Sequence, residues 1–87
     1  MAFWVVEVQA TPNPNAAKFV LDQMIASQPT SFFNAESAKG HPIAEQLFLI
    51  PGVTSLLFLD DFLTVNKASG IQWESISRKV RDVLKKT

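Results

Sequence analysis

Apolar residues come in short bursts broken by Pro, Asn, Gly and Asp, and helical spacing emerges in two places only. Residues 3–10, FWVVEVQA, are rich in aromatic and β-branched types and stop at Thr-Pro-Asn-Pro, which predicts a first strand. Strict alternation puts Trp4, Val6 and Val8 on one face and Phe3, Val5 and Glu7 on the other. Residues 16–22, AAKFVLD, predict a second strand, its apolar side interrupted by Lys18. Residues 23–36 hold Pro29 and several Ser and Thr, and allow only short extended pieces around Ile25 and Phe32.

The first helical signal is KGHPIAEQLFLIPGV. Pro42 suits the first helical position, where its missing donor has no partner to lose. Ile43, Leu47 and Ile50 then recur at i, i+4 and i+7, and Pro51-Gly52 stops the run. VTSLLFL and FLTVNKA follow as two strand-like runs joined by Asp60-Asp61, a hairpin turn. Residues 70–86 form an amphipathic helix, with Trp73, Ile76, Val80, Val83 and Leu84 on one side and Glu74, Arg78, Asp82 and Lys86 on the other. Ser69-Gly-Ile-Gln72 resembles a capping box that would start it. The order β-β-α-β-β-α predicts an α+β two-layer sandwich, a four-stranded, mainly antiparallel sheet with two helices on one face.

With 87 residues, one domain over residues 1–87 is expected. A chain of this size buries roughly 60–65% of its unfolded surface, enough for one core but no deep cleft. No stretch approaches a membrane span, and the N-terminus lacks the basic region of a secretory signal, so a cytoplasmic protein is the expectation. Formal net charge is zero, which speaks against a polyanion as partner. The last fifteen residues nonetheless carry five basic and two acidic side chains, as expected of a helix whose final turn complements its dipole.

Catalytic chemistry finds little to work with. The chain has no Cys, which removes thiolate-ligated zinc and iron–sulfur sites. The single His41 flanks a helix start and has no HxxxH or HxxE companion. Asp60 and Asp61 read as turn residues, and the three glycines are isolated. A small metal-binding protein or enzyme using His41 with Asp60 and Asp61 is the rival reading. Nucleic-acid binding would rest on the C-terminal helix alone, where no exposed aromatics interleave with the cations, and it is not expected.

The corner ATPNPNAAKF is stiffer than chain reversal requires. Pro12 and Pro14 fix φ and remove two donors, and they push Thr11 and Asn13 toward extended backbone. Asn13 and Asn15 can close side-chain-to-backbone rings. Two roles fit: stabilising a small sheet, or displaying Thr11, Asn13, Asn15 and Lys18 to a partner from a rigid loop.

TPNPNAAKF, HPIAEQLFLIPGV, DFLTVNK and the Trp opening the last helix, taken in that order, resemble the N-terminal domain of Nfu-type (NifU-like) iron–sulfur cluster scaffold proteins. The resemblance runs from Thr11 to the final helix and implies an α+β domain. In that family a separate C-terminal domain bears a Cys-x-x-Cys motif that holds the cluster between protomers. The 87 residues contain no such motif, so the expectation is the docking role alone, in a stand-alone or excised module. Partners would be iron–sulfur assembly or recipient proteins, and a cluster would be met only through them or through the missing C-terminal domain. The family pattern maps onto Thr11, Pro12, Asn13, Pro14, Lys18 and Phe19, and onto Asp61, Phe62, Thr64, Val65 and Lys67. Phe19, Phe62 and Val65 are its expected core members; Thr11, Asn13, Lys18 and Asp61 are its expected surface. Nothing in the sequence says whether the two turns share one end of the sheet. Leu57 and Leu59 oppose Leu56 and Phe58, so the second sheet face is apolar too. Either a partner or second copy of the chain uses it, or residues 23–36, with Phe32 and Phe33, fold over it.

Overall fold

The computed structural model describes residues 3–86 and contains β1 (Val5–Ala10), β2 (Ala16–Leu21), β3 (Ala26–Phe32), α1 (Pro42–Phe48), β4 (Val53–Asp60), β5 (Phe62–Lys67) and α2 (Trp73–Lys85). Met1, Ala2 and Thr87, which the expected 1–87 span includes, lie outside the described residues. The α+β class holds, with an antiparallel sheet of five strands rather than four, in the order β1-β2-β5-β4-β3. The added strand comes from residues 23–36. Pro29 sits within it, and its register slips between Ala26 and Thr30. A residue without a donor fits there because β3 is at the rim of the sheet.

Cross-strand partners share a face. Phe19, Leu63 and Phe58 form one row on the helix side, and Ala17, Val65, Leu56 and Phe32 a second. Ala44, Leu47, Ile76, Val80 and Leu84 close over these rows in one core. The opposite face holds Lys18, Thr64, Leu57 and Ser31, beside Val20, Phe62 and Leu59. Phe62 is therefore half-buried on the open face under the Lys18 ammonium, at 4.1 Å, and does not join Phe19 and Val65 inside. Residues 23–36 widen the sheet instead of covering that face: Phe32 is buried on the helix side and Phe33 is 76% exposed.

Two local expectations fail for identifiable reasons. The β1–β2 register shifts between Val5 and Glu7, so an extra residue reverses the alternation beyond it. Glu7 pairs with Val20 on the open face, and Val8 pairs with Phe19 on the helix side. At α2 the N-cap is Gln72, without a side-chain cap bond, so Ser69 caps nothing. By contrast, Pro42 does open α1, where His41 caps it by accepting the Ala44 N–H at Nδ1, 3.3 Å away.

The β4–β5 hairpin lies between β2 and β3, which are consecutive in the chain. Three strand spacings make that gap about 14 Å. The backbone from Leu21 to Ala26 reaches roughly 17 Å at full stretch. It passes the hairpin tip, where the Leu21 N–H donates to the Asp61 carbonyl and the Ile25 N–H to the Asp60 carbonyl, each at 2.6 Å.

Candidate functional site

The proline–asparagine corner, residues 11–15, joins β1 to β2 and is built from its own side chains. The Thr11 hydroxyl reaches the carbonyls of Asn13 and Ala16 at 2.9 and 3.0 Å, and its oxygen accepts the Asn13 N–H at 3.2 Å. Asn13 Oδ1 accepts the Asn15 N–H at 2.9 Å, and the Ala16 N–H closes the turn onto the Asn13 carbonyl at 3.0 Å. These short rings supply the stiffness that two prolines begin.

Contacts from far along the chain hold the corner in place. Asn15 donates from Nδ2 to Ser69 Oγ at 3.2 Å, while its Oδ1 accepts from Lys67 Nζ at 3.0 Å. Trp73, the first residue of α2, donates from Nε1 to the Pro14 carbonyl at 3.0 Å. The Lys67 ammonium lies 5.5 Å from the Trp73 ring, which in turn tilts against Phe19 with centroids 6.4 Å apart. Lys67, Ser69 and Trp73 thus belong to the corner as much as the prolines do. Lys67 and Trp73 belong to the family-like motifs, but no spacing in the sequence links them to Asn15.

The five residues expected at a partner surface fall in three places. Thr11, Asn13 and Asn15 are at the corner, where Asn13 is exposed and the other two half-buried. Lys18 stands on the open face over Phe62. Asp61 is at the β4–β5 tip, which is the opposite end of the sheet, since Ala16 pairs with Asn66 and Val20 with Phe62. His41 is held by its capping bond and by edge contacts to Phe32 and Phe58, both 5.2 Å between centroids. Among the described residues, no three His, Asp or Glu side chains gather where an ion could be shared. Beside the corner, a groove of about 360 Å³ runs between β1 and α2, bordered by Val8, Ala10, Pro14, Trp73 and Ser77.

The family model described as "Scaffold protein Nfu/NifU N terminal" matches residues 6–87, covering the corner, both motif strands and α2. The chain belongs to that family. Among the relatives of this Nfu-type chain, the NifU-like protein, mitochondrial, of Saccharomyces cerevisiae is 38% identical over 93% of this chain and 35% of its own length. The NFU1 iron-sulfur cluster scaffold homolog, mitochondrial, of Drosophila erecta is 33% identical over 91% of this chain and 29% of its own. The chain spans about a third of the length of the curated relatives it matches. The solution structure of the yeast NifU-like protein superposes with a TM-score of 0.81 at 36% identity, over 98% of this chain and 77% of that one.

These relatives overturn the cytoplasmic expectation, since those of yeast and Drosophila are both named mitochondrial. An N-terminus without the basic region of a secretory signal, and described helices too short and polar to cross a membrane, do not separate one aqueous compartment from another.

Proposed function

We propose that this chain performs no reaction itself and serves iron–sulfur cluster assembly or delivery as a protein-binding module. One observation carries the reading: a family match over residues 6–87 of a chain that supplies no thiolate. Thiolates are the usual ligands of such clusters. What the fold offers instead is a preformed surface, and its partners are proteins that assemble or receive clusters. A cluster would reach this module through those partners or through a cysteine-bearing domain of the longer family members.

Within that reading the expected contact residues take different parts. Asn13, exposed on the corner, and Lys18, on the open face, are the groups we assign to direct contact. Thr11 and Asn15 act by holding the corner in shape. Asp61, at the far tip, takes a separate contact.

The test has two arms. Purified chain is incubated anaerobically with iron, sulfide and thiol, and is expected to retain no iron and sulfide in fixed ratio. Isotope-labelled chain is then titrated with purified cluster-assembly and recipient proteins, with saturable shifts expected for at least one. Asn13→Asp, which keeps the oxygen that accepts the Asn15 N–H, combined with Lys18→Ala should weaken that binding with little loss of stability, whereas Asn15→Ala should lower stability first. Stoichiometric cluster uptake, or no saturable partner, would overturn the proposal.

A further inference from the structure

β1 is the outermost strand beside β2, so among the described residues no strand pairs with its outer side. Apolar side chains on and just before it are open as well: Val6 is 62% exposed, Val8 40%, and Trp4, ahead of the strand, 55%. Because of the bulge, Val8 and Ala10 point to the helix layer, where they border the groove with Trp73 and Ser77. An unpaired edge flanked by exposed apolar groups invites strand addition.

The row of α2 side chains that starts at the groove decides what kind of strand. Trp73, Ser77, Arg81 and Lys85 recur every four residues and form one row along α2. Trp73 and Ser77 border the groove, and about two turns beyond Ser77 along α2 the Lys85 ammonium stands 5.7 Å from the Trp4 ring, just ahead of β1. Both charged members of this row are cations. Of the nearby acids, Asp82 borders a separate cleft with Pro42 and Gln46, Glu7 is on the open face, and Asp22 accepts the Trp4 N–H at 3.0 Å. Glu74, beside Trp73 in the first turn of α2, does not border the groove. A second copy of the chain docking through the same edge would set two such cationic rows against each other. An acidic segment would meet complementary charge.

We infer that the outer edge of β1 accepts an extended acidic segment of a partner protein as an added strand. Small apolar side chains occupy the groove beside Val8 and Trp73, and carboxylates two residues apart on the same face meet Arg81 and Lys85. The inference rests on the protein-binding reading above and names the kind of segment recognised. It is tested without any cluster protein, so its failure leaves that reading to its own experiment.

The probe is a blocked octapeptide alternating threonine with two valines and then two glutamates, used alongside its reversed sequence. Titration of the isotope-labelled chain should give saturable shifts at the Glu7, Val8, Gln9 and Ala10 amides and at the Trp73 indole for one of the two. Replacing both glutamates by glutamine should weaken binding about threefold to tenfold, the size expected of two exposed ion pairs. Arg81→Glu with Lys85→Glu in the chain should weaken it at least as much, and both positions are exposed, so the fold survives. Equal affinity for the glutamine peptide would overturn the inference. So would shifts confined to Val20, Leu57 and Phe62, no saturable shift with either peptide, or dimerisation of the free chain through the β1 amides.

Discussion

Asp60 is the one described residue other than glycine with positive φ, at 50°. A short polar side chain tolerates this left-handed region, and a β-branched one does not. Asp60→Val is expected to lower the free energy of unfolding by about 1–2 kcal/mol, read from urea midpoints at constant slope. Asp60→Asn should leave the midpoint close to the parent's. A valine variant as stable as the parent would contradict the turn geometry. The Asp-Asp pair was legible as a turn because Asp favours turns, and Pro12, Asn13 and Pro14 announced a stiff corner for similar reasons. What Asn15 does was not legible. Its side-chain partners stand 54 and 52 residues further along the chain, and residue types alone do not reveal such pairings.

Trp73 shows how an element can be read correctly while its fastening is missed. The apolar stripe of α2 is buried as its spacing implies, with Ile76, Val80 and Leu84 fully inside. The indole nitrogen, however, reaches the Pro14 carbonyl and ties the start of α2 to the corner. Trp73→Phe keeps most of the ring contact with Phe19 but removes that bond, and is expected to cost about 1 kcal/mol. Hydrogen exchange should quicken at the Asn15 and Ala16 amides while the β4–β5 ladder is unaffected; unchanged exchange at the corner would argue against the tie. Among the strands, β1 was recognised by composition, yet the extra residue near Val6 left no trace in its apolar run. β3 was obscured by Pro29 and its Ser and Thr, which suit a rim and depress any strand signal.

Both helices pack on one side of the sheet, and that arrangement was visible in the order of strand-like and helix-like segments. Strand order was not, because β2 pairs with β5 across more than forty residues of sequence. One core unites the parts, so truncation there should be costly wherever it is made. Leu84→Ala is expected to lose about 2–5 kcal/mol. Leu49, 73% exposed at the end of α1, should change stability by less than about 0.5 kcal/mol when replaced by alanine. Denaturant titration of the two variants separates them, and similar losses would mean that the core is misplaced.

The short crossing from Leu21 to Ala26 gives the sheet a mechanical property. It is a tether with little slack, anchored at both shoulders of the tip it passes. Neither flanking strand can drift outward without drawing the other across the central pair. A load applied at Asp22 or Met24 therefore reaches β2 and β3, on either side of the hairpin, through the same short segment.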